Sequence, residues 1–298
     1  MSESLSSKAP ELELVTEHKL YELLPGSSTE DRFEAYSVCK AGDHNFVIFE
    51  NTPHIARIHK SLLASHRENI IFRQLTEKQL YEDITFDKRS GRFFVLTKAE
   101  KRVKGRLYPR ISEYTADLQF LDTDLVDFPL SGKDGTLSAF HMVRRKKQEY
   151  VLGLCAQNHC KGGRQGRIPG GGRIQIFVNE GNSWAHKGTI NLPEKAAFEG
   201  YTALSVRKGR IAVASKSDSA VWIGQFQDGG WDFVDPGIVY EFPKSKKGNT
   251  VYCTVEGIDW SDNDELVIVS SRRTRSQPKR SRKKDQSIHL FRVPPGVG

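Results

Sequence analysis

The feature that most constrains this chain is an internal repeat. An acidic residue beside a turn and a short apolar run recurs as FEAYSV (Phe33–Val38), YEDITF (Tyr81–Phe86), FEGYTALSV (Phe198–Val206) and VEGIDW (Val255–Trp260). Each unit then carries a β-rich run. These are FVIFEN, FFVLTK, YVLGLC, IAVASK and LVIVSS, starting at Phe46, Phe93, Tyr150, Ile211 and Leu266, with spacings of 47, 57, 61 and 55 residues. A third run follows in every unit: HIARI from His54, YPRISEY from Tyr108, GRIQIF from Gly172, AVWIGQF from Ala220 and SIHLF from Ser287. Alternating, β-branched and aromatic runs punctuated by Gly, Asp, Asn and Ser read as strands. Repeated sheets of this period predict a radial architecture.

A fourth run ends near proline in three units, at Leu130, Pro193 and Pro243. In the first unit ENIIFRQL is read as the fourth strand, in preference to a helix over Lys60–Arg73. The fifth unit runs out at FRVPPGVG, and the N-terminal LELVTEHKLYELLP (Leu12–Pro25) is spare. The expected fold is therefore an all-β, five-bladed β-propeller with the N-terminal strand closing the last blade. Such closure shields the sheet edges. A six-bladed ring and a β-sandwich are the alternatives. Residues 1–10 are expected to be disordered and residues 11–298 to form one domain.

Composition narrows the function classes. With 16 Phe, 9 Tyr and 4 Trp the chain can fill a core. No run of 18 apolar residues is present, which predicts no membrane span. The polar N-terminus lacks a secretory h-region. A cytoplasmic monomer with reduced thiols is expected, and the basic segment allows the nucleus. Cys155 and Cys160 are five residues apart, which is not zinc spacing. Residues 272–284 (RRTRSQPKRSRKK) hold eight Lys and Arg and no acid, equal to the whole net charge of +8. They are expected as a loop in the last blade that binds an anionic small molecule or a polyanion. Without aromatic residues the segment does not suit base stacking.

Glu34, Glu82, Glu199 and Glu256 stand near the start of the first strand in four units, with Thr136 at about that place in the remaining one. First strands of a propeller line its channel, so these carboxylates are expected to converge. Converging carboxylates need a cation or hydrogen-bond donors, and a ring of oxygens suits Ca²⁺ or Mg²⁺. Asn51, Asn158 and Asp218, after the second strands, are further candidate ligands. Lys98 and Arg272 occupy similar places as cations that neutralise the glutamates or bind an anion. The loop CKGGRQGRIPGGGR (Cys160–Arg173) lacks the GxxxxGK[ST] spacing and precedes a strand, so it is not a phosphate loop. Its Arg164 and Arg167 are candidate anion contacts. Among nine histidines there is no HExxH, and His159 is the one candidate acid or base.

The EG-type starts VEGIDW and FEGYTAL resemble those of esterase-like phytase propellers and gluconolactonase-type propellers. The segments LCAQN (Leu154–Asn158), GRIQIF, NLPEKAAFEGYTALSV, ASKSDSAVWIG and KKDQSIHLF are similar to a group of small bacterial propeller proteins. This resemblance covers about four fifths of the chain. It implies a propeller fold and, from the gluconolactonase type, a divalent metal on the EG glutamate. The chain departs from the pattern at Ala156, Ser217 and Ser271, where the bacterial group carries acids. Two readings follow: a ligand- or partner-binding propeller using the channel mouth or the basic loop, and a metal-dependent hydrolase of a phosphate ester, lactone or other ester.

Overall fold

A computed structural model of the protein describes residues 9–64, 66–72, 81–97, 102–103, 106–130, 136–157, 160, 172–261 and 264–295. Strand β1 (Glu13–Lys19) passes through one helical turn, α1 (Leu20–Leu23), to an antiparallel set of β2 (Ala35–Ala41), β3 (His44–Phe49), β4 (Ile55–His59) and β5 (Ile70–Phe72). After β6 (Tyr81–Asp87) and β7 (Arg92–Thr97) comes a two-stranded ribbon, β8 (Arg102–Val103) with β9 (Arg106–Leu107). Then β10 (Arg110–Tyr114) and β11 (Phe120–Asp127) complete the second set in the order β6–β7–β10–β11. The third set is β12 (Leu137–Arg145), β13 (Gln148–Cys155), β14 (Arg173–Asn179) and β15 (Ser183–Asn191). The fourth is β16 (Ala203–Arg207), β17 (Arg210–Ser215), β18 (Ala220–Gln225) and β19 (Ile238–Glu241). The last is β20 (Val255–Trp260), β21 (Glu265–Ser270) and β22 (Ser287–Arg292), and β1 pairs with β22 as its fourth strand.

The first strands of the sets pack on one another in a closed cycle, β2–β6–β12–β16–β20–β2. An apolar cluster fills every junction between neighbouring sets, including the one between the last set and the first. Second strands such as β7 (RFFVLT) and β21 (ELVIVS) are apolar on both faces because each has a neighbouring sheet on either side. The sets are not all separate sheets. Strand β11 runs parallel to β15 through Leu125–Ser183, Val126–Trp184 and Asp127–Ala185, which joins the second and third sets into one eight-stranded sheet. The expectation of separate blades is corrected there, because the outer edges of these two sets satisfy each other.

The strand expected in ENIIFRQL is present as β5, and Lys60 and Ser61 form a turn, not the start of a helix. Disorder expected for residues 1–8 lies outside the described residues. Pro10 is ordered, with its carbonyl accepting from Glu241 N at 2.9 Å. Among the described residues no helix is long and apolar enough to cross a membrane.

The closing strand is clasped by charge. Glu17 on β1 accepts from Lys284 Nζ at 2.5 and 2.6 Å, and His289 Nδ1 lies 3.4 Å away. These partners, His289 foremost, hold the Glu17 carboxyl down to about 2 against the effect of burial. The basic segment is likewise folded onto the last set, not free in solvent. Arg273 N donates to Asp285 Oδ2 (3.1 Å), Gln277 Nε2 to Cys253 O (2.8 Å) and Arg280 Nε to Thr250 O (2.7 Å).

The two EG glycines differ in their surroundings. A Cβ on Gly257 would lie 2.5 Å from Ser37 Cα and 2.8 Å from Val38 N, so the close approach of β20 to β2 requires glycine there. A Cβ on Gly200 would meet nothing nearer than 3.7 Å. Gly257→Ala should therefore destabilise the protein by about 2 kcal/mol through overpacking. That loss is a fall in Tm of about 6 °C, read by a thermal melt, whereas Gly200→Ala leaves Tm near that of the wild type.

Candidate functional site

The entrance of the channel is built by one backbone irregularity repeated around the cycle. A β-bulge falls between Ala35 and Ser37, Tyr81 and Asp83, Leu137 and Ala139, and Val255 and Gly257. The bulged residues are Tyr36, Glu82, Ser138 and Glu256. In the fourth set Thr202 takes this place, with its N and Oγ1 both donating to Ala214 O at 2.9 and 3.2 Å. The tetrapeptides AYSV, YEDI, LSAF, YTAL and VEGI thus superpose by register. Tyr36 and Thr202, not Glu34 and Glu199, are equivalent to Glu82 and Glu256. Alignment on the glutamates displaces two of the five units, because a bulge depends on backbone pairing and not on residue type.

Two adjoining cavities open at this entrance. One of about 370 Å³ is lined by Ser138, Gln157, Glu199, Lys216 and Glu256, among others. The larger, about 1040 Å³, shares Tyr36, Lys216 and Glu256 with it and extends past Glu34 and Glu50 to Arg272. Burial, together with the nearby Glu82, Glu256 and Glu50, pushes the Tyr36 phenol far above its usual range. Burial also raises the Glu256 carboxyl, an effect opposed by Lys216, whose Nζ is 2.6 Å from Glu256 Oε1. The entrance is thus an acidic wall neutralised at one point by Lys216. Arg272 faces it across the larger cavity, with a side chain that makes no hydrogen bond or ion pair with the described residues.

Below the entrance, three titratable side chains join the first strands. Asp83 on β6 accepts from Ser37 Oγ on β2, from Ile84 N (2.8 Å) and from Phe140 N on β12 (2.6 Å). Asp259 on β20 accepts from Lys40 N on β2 (2.7 Å), Ser205 Oγ on β16 (2.5 Å) and Trp260 N (2.9 Å). His141, on β12 at the remaining seam with β16, lies 3.5 Å from Thr85 Oγ1 on β6 and is influenced by the Val206 backbone on β16. Burial pushes the Asp83 carboxyl up to about 8, restrained by its three donors, and lowers His141. Cys39 lies near both aspartates and its thiol is driven up by burial.

The candidates named from sequence divide as follows. Glu82 and Glu256 take equivalent places at the entrance, and Glu34, Glu199 and Arg272 line its cavities. Asn51 donates instead to Arg32 O (2.9 Å). Asp218 accepts from Glu199 N (3.0 Å) and Ser215 Oγ (2.7 Å), which closes the turn after β17. Lys98, Asn158, His159, Arg164 and Arg167 lie outside the described residues. Among the described residues no group of three or more His, Cys, Asp or Glu is placed to hold a metal ion. Lys216, next to the Ser217 position considered in the sequence, was overlooked there. It follows Ser215 at the end of β17, as Glu50 follows Phe49 and Ser271 follows Ser270.

The expectation of reduced thiols is corrected for one pair. Cys155 and Cys160 are joined in a disulfide, because the chain after β13 turns back to bring their Cα atoms to 4.7 Å, within the span a disulfide bridges. Cys39 and Cys253 are free.

No protein-family model and no curated protein matches this sequence. Solved structures do resemble it. Glutaminyl cyclase from Myxococcus xanthus superposes with a TM-score of 0.55 at 10% identity, covering 96% of this chain and 98% of that one. A luciferin-regenerating enzyme superposes with a TM-score of 0.50 at 10% identity, covering 95% and 96%. At such identity the likeness carries the fold, which is β-propeller-like, and not the chemistry.

Two measurements test this geometry. A carboxyl whose folded pKa lies above its unfolded value stabilises in its protonated form, so the contribution of Asp83 is complete below about pH 3.8 and lost as pH rises through about 8. In urea titrations between these limits, wild type should lose stability relative to Asp83→Asn by up to about 1.4 kcal/mol per pH unit. Parallel curves would remove Asp83 as the titrating group. Separately, the mass of the unreduced protein should rise by two hydrogens on reduction, and Cys155→Ser should abolish that gain.

Proposed function

We propose that this chain is a five-bladed propeller, one domain from residue 11, that binds a small anionic ligand at the channel entrance. The observation that carries this reading is the Arg272 side chain, which lines the larger cavity with no hydrogen bond or ion pair to the described residues. Structural arginines are ordinarily paired, and guanidinium groups suit carboxylate and phosphate. Lys216 supplies a second positive charge, and Glu256 fixes its position. The acidic wall of Tyr36, Glu82 and Glu256 then favours a ligand that also carries hydroxyl or ammonium donors. Phosphorylated sugars, hydroxycarboxylates and amino acids share that combination. A metal-dependent hydrolase is the weaker reading, since Glu82 and Glu256 stand without a third ligand among the described residues.

A thermal-shift panel of these three compound classes tests the proposal. At 100 times its dissociation constant a ligand stabilises by about 2.7 kcal/mol, a shift of several degrees. Arg272→Ala should keep the unliganded Tm and lose the shift, and Lys216→Met should reduce it. If no compound shifts Tm, or if the shift survives in both variants, the reading is wrong. A shift produced by Ca²⁺ or Mg²⁺ and lost in Glu82→Gln would favour the hydrolase instead.

A further inference from the structure

A second cavity, of about 400 Å³, lies at the opposite ends of the same first strands, between the third and fourth sets. It is formed where the β12–β13 and β16–β17 hairpins turn, closed on one side by the chain that follows β18. Its apolar wall is Val143, Tyr150, Val206, Phe226 and Trp231. Its cations come from the turns. Lys146 and Lys208 both sit in the left-handed region, with φ of 55° and 49°, and both line the cavity. Asp228 is the one acid among the lining residues. A size of this order and an apolar lining with a few converging polar groups are the marks of a small-molecule site.

Arg145 is the unusual member. Its guanidinium carbon lies 3.8 Å from the centre of the Trp231 ring and 5.1 Å from that of Phe226. Trp231 is itself braced edge-on by Tyr150 (5.3 Å) and Phe226 (5.6 Å). The neighbouring Arg144 is ion-paired with Asp87 and Glu149, with its Nε left without a hydrogen bond among the described residues. Arg145 has no such partner among the described residues, and its Nη1 is buried without a hydrogen bond. Burial lowers its pKa, the expected direction for a cation short of a counter-ion. A fork held by aromatic faces and not by a carboxylate is rigid, and its donors remain available for an incoming oxyanion. The formal neutrality of the chain outside residues 272–284 conceals this local excess of positive charge.

We propose that this cavity is a second ligand site, taking a small organic oxyanion, a phosphate monoester or carboxylate with an aromatic or apolar body. Arg145 anchors the oxyanion, Lys146 and Lys208 add charge, and Trp231, Tyr150 and Phe226 accommodate the body. The site is independent of the channel entrance.

Calorimetric titration of the full chain with phenyl phosphate tests this, with benzoate and inorganic phosphate as comparison arms. Phenyl phosphate or benzoate should bind saturably, and more tightly than inorganic phosphate, which lacks the apolar body. Arg145→Lys keeps the charge and loses the fork, and should weaken binding at least tenfold. Lys208→Ala, in an exposed turn, should weaken it several-fold at unchanged Tm, which decides the matter if the Arg145 variant fails to fold. Arg272→Ala should bind like the wild type. The proposal is overturned if neither aryl compound binds saturably, if Lys208→Ala binds as wild type does, or if Arg272→Ala abolishes binding.

Discussion

Asp83 and Asp259 hold the centre of this molecule together. Each is a buried carboxyl group that meets the strand before it, the strand after it and its own backbone. Between them they span β2–β6, β6–β12, β16–β20 and β20–β2, which leaves the β12–β16 seam, where His141 lies. First strands in a radial fold cannot hydrogen-bond one another as a sheet, so side chains must satisfy their backbone donors where they meet. Phe140 N and Lys40 N are such donors. A buried carboxylate can accept from both sides at once, which a hydroxyl or amide does less well. Desolvation is the cost, visible in the raised Asp83 carboxyl. Apolar clusters in all the junctions supply the bulk of the stabilisation, and the carboxylates supply the alignment.

That alignment sets up the entrance. Bulges in four of the sets and the start of β16 in the fourth set put Tyr36, Glu82, Ser138, Thr202 and Glu256 at equivalent places, and the ends of the second strands bring Glu50, Lys216 and Ser271 to the entrance cavities. The residues at those places are heterogeneous, unlike the carboxylate ring expected from the repeated glutamates. Tyr36 against Glu82 and Lys216 against Glu256 are local solutions to negative charge near one axis. The opposite ends of β12 and β16 carry a different chemistry, cationic and aromatic, around Arg145 and Trp231. The two ends of the first strands therefore present different surroundings.

Much of the fold was legible in the chain. The runs at Phe46, Phe93, Tyr150, Ile211 and Leu266 became the second strands β3, β7, β13, β17 and β21, and LELVTEHK became the strand that closes the last set. Continuous apolar runs announce strands buried on both faces, and a missing fourth strand announces a donor elsewhere. The site was less legible. Asp83 and Asp259 lie inside the quoted motifs YEDITF and VEGIDW, yet nothing local marks them as bridging residues. Their partners Ser37, Phe140, Lys40 and Ser205 are 46 to 219 residues away. The basic segment read as a solvated loop, and its docking on Thr250, Cys253 and Asp285 follows from the shape of the last set.

The sequence by itself determined the repeat, the strands and the closure, because hydrophobic periodicity and chain length act locally and add up along the chain. Tertiary structure alone decided which residue of each repeat reaches the axis. The pairing of first with second strands puts Tyr36 and Thr202, two and three residues further on, where Glu34 and Glu199 were expected. It also decided that β11 and β15 share an edge, that Cys155 meets Cys160, and that Arg145 rests on Trp231 instead of a carboxylate. The shared edge and the Arg145–Trp231 contact depend on parts of the chain that only the packing of neighbouring sets brings together.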